Sequence, residues 1–175
     1  MIKKVLIATD GSGHAEKAVI FGSDIAAKYN AEVLLVHVLL RKEISEELSR
    51  MAEIEYGIDV HPLSEAIANV PEARFPADIT FARRDAATPG QVLRVLGEGI
   101  LKQAEETAHD HGVDKVGKRI EDGNPVSRIL EIAKAENVDL IVSGSRGLSD
   151  LKALIVGSVS HKLSQLSPVT CITVR

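Results

Sequence analysis

The sequence is poor in cysteine and in long apolar runs, and each shortage excludes a class of protein. The single cysteine, Cys171, cannot form an internal disulfide, so we expect a reducing, cytoplasmic environment and a buried, unreactive thiol. No apolar run approaches the roughly 20 residues needed to span a bilayer. Asp10 ends the short basic and apolar start, and no small-residue cleavage site follows it. We therefore expect neither a membrane protein nor a signal peptide.

An excess of positive charge is also missing. The chain has 25 acidic residues against 21 lysines and arginines, a net charge of -4. Proteins that bind the nucleic-acid backbone usually carry a basic face, so no nucleic-acid partner is expected. A local anion site remains open, because backbone amides bind anions without net positive charge. The length of 175 residues, with 45% hydrophobic and 26% charged residues, indicates one globular domain over residues 1–175.

Five apolar runs are typical of strands, and four of them are apolar enough to be buried on both faces of a parallel sheet. The third run is more polar, which favours a place toward the edge of the sheet. In chain order, the runs cover residues 4–10, 31–39, 113–123, 138–145 and 168–174.

Helical periodicity separates these runs. It follows the predicted N-caps Ser12, Thr88 and Asn124, and it returns over residues 151–163. Strands that alternate with helices predict an α/β fold: an open, doubly wound, five-stranded parallel sheet with helices on both faces. In such Rossmann-like sheets, ligands bind beyond the carboxyl ends of the strands, where the strand order reverses.

Residues 41–90 interrupt this alternation. The segment is charged, broken by prolines and without a clean period, so we interpret it as an insertion after the second strand. One interpretation is a cover over the ligand-binding mouth or a surface for a protein partner, since long loops often carry function. An idle surface excursion is equally compatible, because long loops cost little stability.

Three glycines surround the predicted end of the fourth strand and the start of the fourth helix. They are Gly144, Gly147 and Gly157. Glycine lets the backbone turn sharply and approach a ligand closely, and the amides at a helix start attract anions. The hydroxyls of Ser158 and Ser160 would add donors if they face the same mouth. The simpler alternative is a strand-to-helix turn followed by a packing glycine.

Other motifs are incomplete. The run Gly11-Ser12-Gly13 lacks the third glycine of a dinucleotide fingerprint, and the P-loop-like Gly117-Lys118 is followed by arginine where serine or threonine is needed. The histidine pair at 109 and 111 has no evident third ligand, so no metal site is predicted. Asp10 has a simple structural interpretation, an acidic turn residue that bonds the amides of the next helix. No catalytic residue is predicted.

The spacing Gly144, two residues, Gly147, nine residues, Gly157-Ser158 resembles the ATP-binding motif of the universal stress protein family, in its UspA-like subgroup. Four further segments resemble the family, and together they extend the resemblance over nearly the whole chain, with the weakest part at residues 41–90. The segments read "KKVLIATDGS", "VHVL", "GNPVSRILEIAKAENVDLIVSGSRG" and "SPVTCITVR".

The resemblance implies an adenine nucleotide alpha hydrolase-like fold and a nucleotide site. Asp10 would contact the ribose or adenine side, and Val38 would lie against adenine, which aliphatic side chains would enclose in this aromatic-poor chain. Ala8 and Ser143 stand where many relatives have proline and methionine. The implied nucleotide-binding residues are Ala8, Thr9, Asp10, Val38, Ser143, Gly144, Arg146, Gly147, Gly157, Ser158, Val159 and Ser160.

The resemblance also implies ligands and partners. The nucleotide would be ATP with Mg, with ADP and AMP as alternatives, and the chain would form a homodimer through its last strand. A further, unidentified protein partner is compatible with this. We expect a regulatory binding module rather than a turnover enzyme, because no general base or P-loop lysine is evident beside the phosphates. A slow ATPase or nucleotidyl-transfer activity at the same site is the alternative.

Overall fold

The computed structural model describes residues 1–39, 89–147 and 157–175. The predicted cap Thr88, nearly all of the predicted insertion and the first part of the predicted fourth helical stripe lie outside these ranges. The elements, in chain order, are β1 (Lys4–Ala8), α1 (Gly13–Tyr29), β2 (Glu32–Leu39), α2 (Pro89–Asp110), β3 (Val116–Asp122), α3 (Pro125–Ala135), β4 (Leu140–Gly144), α4 (Ser158–Leu166) and β5 (Thr170–Val174).

The five strands form one parallel sheet in the order β3-β2-β1-β4-β5. This confirms the predicted doubly wound α/β fold and the edge position of the more polar third strand. Each strand is one to four residues shorter at one or both ends than its apolar run. Residues just beyond a strand can still be buried: Thr9, which follows β1, is buried and donates its amide to the Val36 carbonyl of β2 at 3.0 Å.

Two buried clusters cover the two faces of the sheet. Alternate residues of β1 and β2 point to opposite faces, so Val5 and Ile7 join the cluster beneath α1 and α2, and Leu6 joins the cluster beneath α3 and α4. Among the described helices, none is both long and apolar enough to cross a membrane.

Two of the predicted N-caps are confirmed. The Ser12 hydroxyl accepts a hydrogen bond from the Ala15 amide at 3.3 Å, and the Asn124 side chain accepts one from the Ser127 amide at 3.2 Å. Each cap satisfies an amide that the first turn of its helix leaves without a partner. The two caps fix where α1 and α3 begin, and α1 begins directly beside the crevice described below.

The two edges of the sheet differ in chemistry. β3 exposes charged side chains, including Lys118 and Arg119. β5 has half-buried residues from Cys171 to Val174, and Ile172 and Val174 pack against the cluster beneath α1. Cys171 is half-buried rather than buried as expected, because β5 is the edge strand of the sheet that the described residues form. Burial still raises the pKa of its thiol, and a hydrogen bond with Ser167 has a smaller, opposing effect. The raised pKa keeps the thiol protonated.

Candidate functional site

The strand order reverses between β1 and β4. From β1 the chain proceeds through β2 to β3 on one side, and from β4 to β5 on the other. Ala8, the last residue of β1, lies in register with Ser143 of β4, so the two strands end at the same level. The crevice between their carboxyl ends is where a doubly wound sheet binds its ligands.

The β1–α1 turn, residues 9–12, forms one wall of this crevice. Gly11 has a φ of 85°, a conformation that glycine adopts without strain. The Asp10 carboxylate accepts a hydrogen bond from the Ser12 amide at 3.0 Å. This confirms the turn-forming role expected for Asp10, and it leaves the second carboxylate oxygen directed toward the opposite wall.

The opposite wall is the start of the β4–α4 loop. A Cβ placed on Gly147 would collide with the Asp10 carboxylate, so the two walls touch at this point. The Ser12 hydroxyl lies 3.5 Å from the Arg146 carbonyl and provides a second link, while the Arg146 side chain is exposed. The structure thus brings Asp10, Arg146 and Gly147 together, and the nucleotide contacts expected of them stay predictions.

Gly144 has a packing role that the sequence did not reveal. A Cβ at this position would lie 2.8 Å from the His14 carbonyl carbon and 2.9 Å from the Ala15 amide nitrogen. Both atoms belong to the backbone of the first turn of α1. The absent side chain therefore lets β4 approach α1 closely, whatever further contact Gly144 makes with a ligand.

The carbonyl of Ser145 holds the two ends of the β4–α4 loop together. Ser145 is buried, and the sequence did not predict a role for it. The Ser145 carbonyl oxygen accepts a hydrogen bond from the Gly157 amide at 2.6 Å. The Ser160 hydroxyl lies 3.1 Å from the same oxygen and 3.1 Å from the Gly157 carbonyl. Both neighbours of the hydroxyl are acceptors, so the Ser160 proton is engaged within the loop. The phosphate contact expected of Ser160 stays a prediction.

The start of α4 has no side-chain cap among the described residues. Its N-cap residue, Gly157, has no side chain that could cap the first turn. Ser158 is exposed and Val159 is half-buried. Amides at such a helix start carry a partial positive charge and point outward.

The remaining predicted site residues divide between the two faces of the sheet. The side chains of Ala8, Val38 and Val159 pack at the rim of the cluster beneath α3 and α4, and Ser143 lies on the same face by strand alternation. Thr9 instead lines a cavity of 330 Å³ on the opposite face, between α1 and α2. Ala8, Val38, Ser143 and Val159 thus share one face of the sheet, and Thr9 lies toward the other.

His37 is the second buried polar group that sequence reasoning did not assign to the site. Its ring lies on the α2 side of β2 and is 8% exposed. Its Nδ1 lies 2.9 Å from the carbonyl of Thr9, the first residue of the β1–α1 turn. Burial lowers the pKa of His37 below its ordinary value, against the smaller raising effects of the Thr9 hydrogen bond and of the Asp10 charge.

The lowered pKa of His37 predicts a loss of stability on mild acidification. The unfolded chain binds a proton near the ordinary value of 6.5, whereas the folded chain binds it only at lower pH. The contribution is present above pH 6.5 and is lost as the pH falls through that value, with a slope of at most about 1.4 kcal/mol per pH unit, the limit for one proton.

Urea unfolding of the wild type and of His37→Asn between about pH 5 and pH 7 measures this effect. Asparagine keeps a donor for the Thr9 carbonyl but does not titrate, so the variant should have the flatter profile. The pKa values of Glu136 and Asp139 are lowered by hydrogen bonds from Lys4 and from the backbone amide of Lys3, respectively, so both carboxylates titrate below this window. Parallel profiles for the two proteins would contradict the assignment.

Within the described residues, no group of three or more His, Cys, Asp or Glu side chains is placed to hold a metal ion. The pair that the sequence analysis considered has other roles: the rings of His109 and His111 contact the Val113 carbonyl and the Asp24 carboxylate.

Comparison with known proteins identifies the family. The sequence profile of the universal stress protein family matches residues 1–175. The chain belongs to the universal stress protein family. The universal stress protein YxiE of Bacillus subtilis (strain 168) is 34% identical to this chain over 175 residues, with 100% of both chains covered.

Two solved structures show how the fold of this universal stress protein compares with others. The protein MJ0577 has a TM-score of 0.67 at 24% identity and covers 99% of this chain and 96% of its own. A universal stress protein in complex with cAMP has a TM-score of 0.60 at 21% identity, with coverages of 99% and 97%. At these identities the likeness establishes the fold, and the residues of the site must be argued from this chain.

Proposed function

We propose that this universal stress protein is a regulatory module that binds ATP in the crevice between β1 and β4. The observation that carries the proposal is the contact between its two walls, where Gly147 lies against the Asp10 carboxylate at the point of strand reversal. A carboxylate suits ribose hydroxyls, and a glycine loop suits a phosphate chain that must approach the backbone.

The residues around this contact could bind the two ends of a nucleotide, its phosphates and its base. The start of α4, which has no side-chain cap among the described residues, would offer backbone amides and the exposed Ser158 hydroxyl to phosphate oxygens. The half-buried Ala8, Val38 and Val159 offer an aliphatic surface to a base. The universal stress protein solved with cAMP provides a precedent for an adenine nucleotide on this fold.

Magnesium belongs to the proposal as the companion of the triphosphate. Mg²⁺ keeps several waters and binds through one or two carboxylates together with substrate phosphates, so it does not need a protein cage. The cytoplasmic location predicted from the single cysteine is part of the same proposal.

Calorimetric titration of the purified protein with ATP, ADP, AMP and cAMP, with and without Mg²⁺, tests the proposal. We expect ATP with Mg²⁺ to bind most tightly, because the triphosphate reaches both walls and the start of α4. Absence of binding by all four nucleotides would refute it. Chromatography of the nucleotide after incubation tests the alternative of a slow ATPase or nucleotidyl transferase, which requires a product to accumulate.

We also propose a homodimer that forms through β5. An exposed edge strand presents unpaired backbone groups that tend to pair with another strand. The Val174 carbonyl bonds the Ser145 amide on the β4 side, so by strand alternation Cys171 and Thr173 direct their backbone groups outward.

Light scattering at micromolar concentration should therefore find a dimer for the wild type and a monomer for Thr173→Pro. Proline removes the outward amide and is tolerated on an edge strand. Thr173→Val keeps the amide and should remain dimeric. A monomeric wild type, or a dimeric proline variant, would contradict the proposed interface.

A further inference from the structure

The ring of His37 links a helix to the β1–α1 turn. A carbonyl oxygen can only accept a hydrogen bond, so the contact at 2.9 Å requires the proton on Nδ1, which donates to the Thr9 carbonyl. The ring is buried, and burial favours the neutral form, in which Nε2 carries no proton. His37 is therefore held as one tautomer with a fixed direction for its donor.

Gly97 of α2 accommodates this ring. A Cβ on Gly97 would lie 2.8 Å from the His37 Cδ2 and 3.3 Å from its Nε2. The imidazole thus occupies the space that a side chain on α2 would need. Since it touches α2 on one side and donates to the turn on the other, its position depends on both elements.

The hydrogen bond acts on the part of the turn that carries Asp10. The Thr9 carbonyl belongs to the same peptide unit as the Asp10 amide, and peptide units are planar. Fixing this carbonyl therefore fixes the orientation from which the Asp10 side chain departs. The Asp10 carboxylate accepts a hydrogen bond from the Ser12 amide at 3.0 Å and lies against Gly147.

We infer that His37 is a positioning residue for the nucleotide site: seated under Gly97, it holds the Thr9–Asp10 peptide so that the Asp10 carboxylate faces the glycine loop. The inference rests on the proposed function for its effect on ATP. Without the donor, the buried Thr9 carbonyl loses its side-chain partner, which is costly in a buried place, and the turn shifts to recover one.

The first test compares two substitutions of the same residue by calorimetry with ATP. His37→Leu removes the donor and should weaken binding by about fivefold to tenfold, the effect of one hydrogen bond. His37→Asn places an amide nitrogen where Nδ1 lies and should bind within about twofold of the wild type. Equal affinity of all three proteins would overturn the inference, as would an asparagine variant as weak as the leucine variant.

The second test changes a residue of α2 that contacts His37 but not the Thr9–Asp10 peptide. Gly97→Ala pushes the ring and should weaken ATP binding, whereas Gly99→Ala, two residues along the same helix with open space around its Cβ, should not. Adding His37→Asn to Gly97→Ala replaces the ring by a smaller side chain and should restore affinity. An unchanged affinity in Gly97→Ala would overturn the inference.

A readout that needs no nucleotide separates this inference from the proposed function. The amide resonances of Asp10 and Ser12 should move further in His37→Leu than in His37→Asn, and further in Gly97→Ala than in Gly99→Ala. If the shifts are no larger in the first variant of each pair, the positioning role is refuted. If they are larger but the wild type binds no ATP, the proposed function fails and the structural link between His37 and Asp10 holds.

Discussion

Gly147→Val is expected to abolish ATP binding while the protein remains folded. A Cβ at this position already collides with the Asp10 carboxylate, and the two methyl groups of valine would occupy the crevice between the walls. Either the carboxylate is displaced or the loop retreats, and both outcomes remove the arrangement proposed to hold ribose and phosphate. The Asp10 carboxylate is the end of a side chain and can move without a change in the backbone, so the variant should still fold.

Calorimetry with ATP measures the loss, and circular dichroism with urea unfolding establishes that the variant is folded. Gly99→Val is the matched control, since a Cβ there would meet no atom of the described residues within 4 Å. It should bind ATP like the wild type. A folded Gly147→Val protein with wild-type affinity would exclude this crevice as the nucleotide site.

Gly144→Ala is expected to lower the free energy of unfolding by about 1 to 3 kcal/mol, the usual cost of overpacking. The new Cβ would meet the backbone of His14 and Ala15 at 2.8 to 2.9 Å. A helix backbone cannot rotate away as a side chain can, so α1 must move from the sheet or β4 must bend.

Gly13→Ala, beside the same turn of α1, supplies a control of opposite sign. A Cβ there would meet no atom within 4 Å in the described part of the chain, and the φ of Gly13 is not in the left-handed region. The substitution should therefore stabilise the protein by about 0.4 to 1 kcal/mol. Thermal unfolding should separate the pair, at about 2 to 4 °C per kcal/mol for a chain of this size. A Gly144→Ala protein as stable as the wild type would refute the packing role.

Much of the fold was predictable because its signals are local. Runs such as Val33 to Val36 are apolar throughout, which is what a strand covered on both faces requires. Ser12 and Asn124 cap helices through amides only three residues away. The approach of Asp10 to Gly147 was predictable in outline, because strand alternation with helices places both residues beyond carboxyl ends of strands.

The details of the site depend on contacts between residues far apart in the sequence. His37 and Thr9 are separated by 28 residues, and Ser160 and Ser145 by 15. A buried histidine or serine in a sequence gives no sign of which carbonyl it meets. The packing role of Gly144 was hidden in the same way, since its neighbour is the backbone of a helix that begins more than a hundred residues earlier.

The difference between the two sheet edges limits how large an assembly this chain can build. If two copies pair through β5 about a twofold axis, the described strands of the joint sheet end on both sides in β3, where Lys118 and Arg119 are exposed. Charged side chains discourage the addition of another strand, and a twofold contact uses the same edge of both partners. Growth would then stop at two copies, and the same polarity that makes β3 a weak strand would protect the protein from forming fibres.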